Sequence, residues 1–204
     1  MYHRTILIFG GTFDPPHQAH IDLPEQARQA VDADQILYLP AGTPPHKRHQ
    51  TISPSHHRLA MLRLALRHQP HAVIDPREID APEDHPNYTV TTLEALRSEH
   101  PKTTRLHLLI GSDQAAVFDT WRDPQRIQQL APPLVMIRPP LTAETFLNSL
   151  PPHERGQWAN SLVPVQTTDT SATDIREAIS RGQPIPATVP PDVRDYITMN
   201  NLYR

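Results

Sequence analysis

Short apolar runs that alternate with helical stretches constrain this fold more than any other feature of the sequence. Runs of this length, without polar alternation, are typical of strands buried on both faces of a sheet. The six runs are TILIF (5–9), QILYL (35–39), HAVI (71–74), RLHLLI (105–110), PLVMI (133–137) and SLVPV (161–165). Helical spacing of Leu, Met or Ala marks the stretches EQARQAV (25–31), SHHRLAMLRLALRH (55–68) and TTLEALRSEH (91–100). This alternation predicts an α/β fold with right-handed crossovers and a doubly wound, mostly parallel sheet.

The end of the chain predicts two more helices. In TSATDIREAISRG (170–182), Ser171 and Asp174 have the spacing of a capping box, and Gly182 is a stop signal after an apolar face. The segment PPDVRDYITMNNLYR (190–204) predicts a short final helix that closes the fold. Because the sequence contains no repeat or linker, a chain of 204 residues predicts a single domain over residues 1–204.

Composition limits the partners and the compartment. The 19 Lys and Arg residues against 22 Asp and Glu residues give a net charge of −3, which argues against broad binding to nucleic acid or to an anionic membrane. The absence of cysteine excludes disulfides and thiolate metal sites. The first residues, MYHRTILIFGG, have the pattern of a strand rather than of a signal peptide, and no segment is apolar enough to span a membrane. We therefore expect a cytoplasmic protein in which any anion site is local.

Four of the six glycines, Gly10, Gly11, Gly42 and Gly111, lie at or just past the carboxyl ends of predicted strands. In an open α/β sheet this edge is where ligands bind. Glycine there lets the backbone approach a ligand closely, although turn geometry alone also accounts for any single glycine. Neither the P-loop pattern nor the dinucleotide pattern G-x-G-x-x-G is present. The glycines thus indicate a ligand crevice of another kind.

His17 and His20 form a second candidate feature. If a helix begins near Pro16, the two imidazoles are adjacent on its first turn, close to the positive end of the helix dipole. Backbone N–H groups and imidazole donors together favour an anion at such a place. Two alternatives stay open: a metal site, which needs a third ligand and lacks the H-E-x-x-H pattern, and a purely structural pair.

Arg176 is a second sign of an anion, because a cation in the first turns of a helix is unfavourable unless a negative group offsets it. Asp174 is one candidate for that group. The other is a ligand phosphate, which the hydroxyls of Ser171 and Thr173 would also hold. The basic segment PPHKRHQ (44–50) follows the second predicted strand and is either a solvated loop or a further anion contact.

These motifs resemble those of a known superfamily. GGTFDPPHQAH (10–20) resembles the signature [GN]GTFDP-x-H-x-GH of the nucleotidyltransferases, and TSATDIR (170–176) resembles their second signature, IS-[SA]-T-x-IR. Ala19 stands where the first signature has glycine, and Thr170 stands where the second has isoleucine. Over nearly its full length the chain resembles the bacterial nicotinate-nucleotide adenylyltransferases, through ILIFGGTFDP, PPHK, NYTVTTLEALR, LLIGSDQAAVFDTWRD, MIRPP and YITMNNLYR.

The resemblance implies a Rossmann-like nucleotidyltransferase topology and a reaction of NAD biosynthesis. In that reaction the adenylyl group of ATP is transferred to nicotinate mononucleotide, giving deamido-NAD and pyrophosphate, with Mg²⁺ accompanying ATP. The mononucleotide 5′-phosphate attacks the α-phosphorus directly, and positioning with charge stabilisation suffices for such transfers. The partners are then ATP and nicotinate mononucleotide, and the chain acts as a monomer or a homodimer.

The resemblance also assigns roles to individual residues. The catalytic residues are His17, His20 and Arg176. The remaining ATP contacts are Gly10, Gly11, Thr12, Phe13, Gly111, Asp113, Ser171 and Thr173. The mononucleotide contacts are Lys47, Thr89, Trp121 and Arg138. In this assignment Trp121 stacks on the pyridine ring; the alternative is a core aromatic residue, against which its polar neighbours in DTWRD argue.

Three other functions stay open at the level of the sequence. The first two are adenylyltransferases with another acceptor, either nicotinamide mononucleotide or phosphopantetheine. The third is an inactive, nucleotide-binding regulator on the same fold. Such a regulator has no need of groups for the leaving pyrophosphate, and the chain contains all five of His17, His20, Ser171, Thr173 and Arg176.

Overall fold

The computed structural model describes residues 4–42, 52–82, 87–137, 141–166 and 170–204. The strands are β1 (Arg4–Gly11), β2 (Gln35–Pro40), β3 (Ala72–Ile74), β4 (Thr104–Gly111), β5 (Pro133–Ile137) and β6 (Leu162–Pro164). The helices are α1 (Ala19–Ala30), α2 (Ser55–Leu66), α3 (Thr89–Glu99), α4 (Ser112–Ala115), α5 (Pro124–Leu130), α6 (Ala143–Ser149), α7 (Pro152–Ala159), α8 (Ala172–Ser180) and α9 (Pro191–Met199). A 3₁₀ turn over Phe118–Thr120 follows α4.

The strands form a six-stranded sheet in the order β3-β2-β1-β4-β5-β6. The pairs β1/β4, β4/β5 and β5/β6 are parallel, and Ile6 lies opposite Leu106. In this order the chain starts in the middle of the sheet and moves outward in both directions, which is the doubly wound arrangement. The predicted fold class is confirmed, and each predicted strand matches an observed one to within two residues at either end.

The chain forms two compact units. The first consists of the described residues of Met1–Gly10, Leu23–Leu37 and Tyr88–Thr167. In this unit β4 and β5 are almost entirely buried, with Leu109 and Val135 in the core. Helix α3 packs against α5, which buries Leu93 and Ile127.

The second unit consists of the described residues of Gly11–Asp22, Tyr38–Asn87 and Thr168–Arg204. Helix α2 packs against α9 within it. The buried side chains include Met61 and Leu62 of α2 and Val193 and Ile197 of α9. Except for Gly10, all residues of the two signature motifs (10–20 and 170–176) lie in this unit.

Gly42, just past the end of β2, has a packing role. A Cβ atom at this position would lie 2.3 Å from the carbonyl oxygen of Glu78 and 2.5 Å from Nδ2 of Asn87. Because both distances are far inside van der Waals contact, no side chain fits there. Close backbone packing therefore explains this glycine without a ligand.

The structure differs from the sequence-based prediction in three places. Helix α1 begins at Ala19, before the predicted stretch, and contains Pro24. Helices α4 to α7, between β4 and β6, had no counterpart in the prediction. Strands β3 and β6 are only partly buried rather than buried on both faces, because they are the two edge strands of the sheet. In the described ranges no helix is both long and apolar enough to cross a membrane.

Candidate active site

The turn after β1 depends on glycine at position 11. Phe13 has a φ of 50°, in the left-handed region, and is 1% exposed. A Cβ atom at Gly11 would lie 2.8 Å from Cζ of Phe13, closer than carbon atoms pack. The absence of a side chain at position 11 therefore lets the Phe13 ring fold back over the backbone.

His17 and His20 lie side by side at the start of α1. Their ring centroids are 3.8 Å apart, and the Phe13 ring meets His20 edge-on with centroids 5.1 Å apart. The His20 N–H donates to the His17 carbonyl over 2.8 Å, so a turn keeps the rings adjacent although α1 begins at Ala19 rather than near Pro16. The His17 N–H donates to Nδ1 of His20 over 3.3 Å, which assigns the proton of a neutral His20 ring to Nε2.

A proline inside α1 explains how His20 is held. Pro24 has no N–H to donate to the carbonyl of His20, four residues earlier in the helix. The Tyr38 hydroxyl donates to that carbonyl instead, over 3.1 Å. The Phe13 and Tyr38 rings are also in contact, with centroids 6.0 Å apart. Tyr38 thus supplies a hydrogen bond that the helix backbone cannot make.

The start of α8 has the local structure that its sequence predicts. The Asp174 N–H donates to Oγ of Ser171 over 3.1 Å, and this hydroxyl donates to Oδ2 of Asp174 over 2.7 Å. Ile175 and Ile179 are buried, and Gly182 has a φ of 73° just after the helix. The predicted N-cap, apolar face and stop are confirmed, whereas the Asp174 carboxylate bonds the Ser171 hydroxyl rather than the Ser171 backbone N–H that a capping box uses.

Arg176 connects the two motifs. Its Nη1 donates to the backbone carbonyl of Asp14 over 2.8 Å, and its Nη2 donates to Oγ1 of Thr173 over 3.3 Å. Asp174, one of the two candidates for its negative partner, bonds Ser171. The hydrogen bond to Asp14 brings the start of α8 to the turn that carries the imidazole pair.

Asp14 is a buried carboxylate that sequence reasoning missed; it is 2% exposed. The Tyr203 hydroxyl donates to its Oδ1 over 2.6 Å, and the Ser53 N–H donates to its Oδ2 over 3.0 Å. Burial, together with the charge of Asp14, raises the pKa of Tyr203, so its hydroxyl stays protonated. Its hydrogen-bond partners are 39 and 189 residues away in sequence, so no local pattern predicts them. The position of Asp14 inside the first signature was the one feature of the sequence that pointed to a role for it.

Arg58 of α2 is a second buried charge that the sequence did not reveal. It is 3% exposed, and burial lowers its pKa while the charge of Asp14 acts in the opposite direction. Its guanidinium donates over 2.7 to 3.2 Å to four backbone carbonyls, those of Thr12, Ala41, Gly42 and Ser53. Arg58 therefore ties the turn after β1 to the end of β2 and to the residues before α2.

Besides Trp121, four described residues that are predicted to contact ATP or the mononucleotide belong to the first unit. Gly111 ends β4 and caps α4, and Asp113 is exposed in the first turn of that helix. Thr89 is the first residue of α3, and Gly10 is exposed near the end of β1. Each lies at a strand end or a helix start, where backbone N–H groups are available to a ligand.

The two tryptophans of the chain differ in burial. Trp158 is 3% exposed, whereas Trp121 is half-buried. Phe118 contacts both rings, with centroid distances of 5.4 Å in each case. The core position therefore belongs to Trp158, and Trp121 retains exposed ring surface.

The remaining predicted contacts, Lys47 and Arg138, lie outside the described residues. Within the described ranges, no three His, Asp or Glu side chains come together as a metal site requires. The imidazole pair thus gathers no third ligand in that part of the chain.

The second unit combines several groups that bind oxyanions. Imidazole, hydroxyl and guanidinium donors lie close to the N-termini of α1 and α8, whose dipoles also favour negative charge. We call this set the anion cradle; its members are His17, His20, Ser171, Thr173 and Arg176. Its composition suits a polyphosphate better than a metal ion.

Sequence comparison finds relatives along the whole chain. The sequence model of the family described as cytidylyltransferase-like matches residues 8–178. A protein of Thermomicrobium roseum named "Probable nicotinate-nucleotide adenylyltransferase" is 39% identical over 97% of this chain and 90% of its own length. A protein of the same name from Roseiflexus is 38% identical over 100% of both chains.

Solved structures share the fold. Nicotinic acid mononucleotide adenylyltransferase of Plasmodium falciparum has been solved in complexes with APC and with NaAD. Both structures match with a TM-score of 0.72 over 98% of each chain, at 18% identity. At this identity the likeness establishes the fold.

Proposed function

Because the chain belongs to the nicotinate-nucleotide adenylyltransferase family, within the cytidylyltransferase-like proteins, we propose that it transfers the adenylyl group of ATP to nicotinate mononucleotide. The products are nicotinate adenine dinucleotide (deamido-NAD) and pyrophosphate, and the reaction is a step of NAD biosynthesis. One observation carries the proposal: residues of both signature motifs meet in the anion cradle, joined by the hydrogen bond from Arg176 to Asp14.

In the proposed mechanism, the anion cradle binds the triphosphate of ATP. A 5′-phosphate oxygen of the mononucleotide forms a bond to the α-phosphorus while the bond to the bridging oxygen breaks, and the electron pair leaves with pyrophosphate. Nε2–H of His20 and the neighbouring His17 ring stabilise charge on the transferring phosphoryl oxygens. Arg176, with the hydroxyls of Ser171 and Thr173, holds the departing phosphates. Such chemistry needs positioned donors rather than a protein nucleophile.

Mg²⁺ enters this proposal together with ATP. Two carboxylates next to the cradle are already hydrogen-bonded: Asp14 by Tyr203 and Ser53, and Asp174 by Ser171. This donor set fits an ion held mainly by phosphate oxygens and water, which is the usual coordination of Mg²⁺ with nucleotides. When bound, the ion neutralises phosphate charge; the chain's own residues orient the triphosphate.

The contacts proposed for the nucleosides follow the family motifs. We assign Gly10, Gly11, Thr12 and Phe13 to backbone contacts with the nucleotides, and Gly111 and Asp113 to the ATP ribose and adenine. Trp121, half-buried on Phe118, has the exposed ring surface that stacking on a pyridine needs. Thr89, Lys47 and Arg138 complete the proposed mononucleotide contacts.

At the level of the whole chain, we propose one nucleotidyltransferase domain over residues 1–204. The match to the family over residues 8–178 supports this, since it includes segments of both compact units. We further propose a cytoplasmic monomer or homodimer that binds two nucleotides rather than nucleic acid. The net charge of −3 supports the last point.

The test is pyrophosphate release by purified protein from ATP and Mg²⁺ with each of three acceptors: nicotinate mononucleotide, nicotinamide mononucleotide and phosphopantetheine. We expect the highest kcat/KM with nicotinate mononucleotide. Preference for another acceptor would replace the proposed substrate, and no release with any acceptor would support the inactive regulator.

His20→Ala is expected to lower kcat by about 100- to 1,000-fold, the usual loss when one donor to a developing oxyanion is removed. The exposed His71 offers a matched control, since His71→Ala removes an imidazole outside the cradle. Equal activity of the His20 variant and wild type would remove His20 from the mechanism.

A further inference from the structure

We propose that Tyr203 is a positioning residue for the transfer reaction: acting through Asp14, it fixes the carbonyl that holds Arg176 in the anion cradle. The inference rests on the proposed function and deepens it. It concerns a residue beyond the part of the chain that the family model matches, residues 8–178.

A turn after α9 places the Tyr203 side chain. After α9, the Leu202 N–H donates to the Ile197 carbonyl over 3.1 Å, and Tyr203 has a φ of 65°. This turn directs the side chain to Asp14 and places its hydroxyl 3.8 Å from Sδ of Met61 in α2. Helix α9, which precedes Tyr203, packs against α2, and Arg58 of α2 bonds the turn after β1 through the Thr12 carbonyl.

Two hydrogen bonds restrain the Asp14 carboxylate. Tyr203 holds Oδ1 and the Ser53 N–H holds Oδ2, so each carboxylate oxygen has its own donor. A buried carboxylate with both oxygens bonded has little rotational freedom, since any rotation breaks a charge-assisted hydrogen bond. The raised pKa of Tyr203 keeps its hydroxyl a donor across the working pH range. Because the Asp14 side chain is held at both oxygens, the backbone carbonyl of the same residue is restrained as well.

The Asp14 carbonyl is hydrogen-bonded to Arg176 of the cradle. Arg176 donates to it from Nη1 and donates from Nη2 to Thr173, so the two nitrogens fix the plane of the guanidinium. A shift of the Asp14 peptide would therefore turn the cation that is assigned to the leaving phosphates. The Tyr203 hydroxyl bonds Asp14 and lies close to Met61, neither of which belongs to the cradle, and the charge of Arg176 acts on it only electrostatically. The hydrogen-bonded path from Tyr203 to the cradle therefore runs through Asp14.

The experiment compares Tyr203→Phe with Tyr196→Phe. Tyr196, also near the end of the chain, bonds Nδ1 of His57 over 2.9 Å and is not part of the cradle. Both variants lose one hydroxyl and keep the ring. We expect Tyr203→Phe to lower kcat/KM for ATP about tenfold while the KM for the mononucleotide stays within about twofold, and we expect Tyr196→Phe to match wild type.

A double-mutant cycle separates positioning from general damage. If Tyr203 acts through Arg176, adding Tyr203→Phe to Arg176→Ala changes kcat/KM for ATP by less than about twofold, because the group that it positions is already gone. If the two losses multiply instead, the proposal is wrong. Equal losses in Tyr203→Phe and Tyr196→Phe, or an unchanged kcat/KM in Tyr203→Phe, also overturn it.

Calorimetric binding of a non-hydrolysable ATP analogue supplies a readout that does not depend on turnover. We expect Tyr203→Phe to weaken binding in the wild-type background and to have no effect in the Arg176→Ala background. All variants are measured below their own thermal midpoints, so that loss of folded protein does not enter. If wild type binds the analogue but releases no pyrophosphate with any acceptor, the proposed function fails while the binding cycle still decides the role of Tyr203.

Discussion

Glycine at position 11 shows how one missing side chain shapes the candidate site. The Phe13 ring occupies the space next to Gly11 and meets the His20 ring edge-on. A methyl group at position 11 has to displace Phe13, and the support of His20 moves with it.

Gly11→Ala is therefore expected to destabilise the fold by about 1–3 kcal/mol, the usual cost of overpacking, and to lower kcat. Urea unfolding and steady-state kinetics measure the two effects. Gly156 in α7 is the matched control, because a Cβ atom there meets nothing within 4 Å. Alanine in a helix is more favourable than glycine by up to about 1 kcal/mol, so Gly156→Ala should be at least as stable as wild type. Similar losses in both variants would contradict the packing argument.

At this scale the sequence could predict local geometry but not distant partners. The cap of α8 by Ser171 and the adjacency of His17 and His20 each depend on residues three positions apart. Arg58 and Tyr203 were missed because their bonds reach carbonyls and a carboxylate far away in sequence, up to 189 residues for Tyr203. Only the fold brings such groups together.

The elements that could be predicted are those with enough length for a pattern. All six strands follow from apolar runs, and α2, α3, α8 and α9 follow from helical spacing or caps. Helices α4 to α7 have only 4 to 8 residues each, which is too short for a helical period to be distinguished from chance. For α1 the signal was distorted by Pro24, whose missing hydrogen bond Tyr38 replaces in the tertiary structure.

The cap of α8 makes a prediction at the level of an element. Ser171→Ala should lower the free energy of unfolding by about 1 kcal/mol, because an orphan N–H at the helix start loses its acceptor. It should also raise the KM for ATP, since the same hydroxyl is assigned to the triphosphate.

Thr142 provides the control for this prediction. Its side chain caps α6 through the Thr145 N–H over 3.1 Å, in the other compact unit. Thr142→Ala should cause a similar loss of stability in denaturant titration and leave the KM for ATP unchanged. A KM that rises equally in both variants would mean that Ser171 acts only as a cap.

At the scale of the whole molecule, a histidine outside the cradle makes stability depend on pH. Burial lowers the pKa of His107 from its usual value of 6.5, and neighbouring Arg105 acts in the same direction. The hydrogen bond between its Nδ1 and the Pro132 carbonyl over 2.9 Å partly opposes this. As pH falls through about 6.5, the unfolded chain binds a proton more readily than the folded chain, so stability is lost on acidification.

His107→Gln should therefore flatten the dependence of unfolding free energy on pH between about 7 and 5.5. Urea titrations at several pH values measure it, and His71→Gln controls for the loss of an exposed imidazole. A slope that is the same in wild type and in His107→Gln would show that this residue does not link folding to protons.

The unequal burial of the two tryptophans also provides the molecule with an optical probe. Trp158, enclosed against Phe118, should emit at shorter wavelength than the half-buried Trp121, whose excited state relaxes against solvent. In a Trp158→Phe background, Trp121 is the sole indole of the chain. If the pyridine ring of the acceptor stacks on Trp121 as proposed, its binding should change this emission, and a fluorescence titration would follow acceptor binding without turnover.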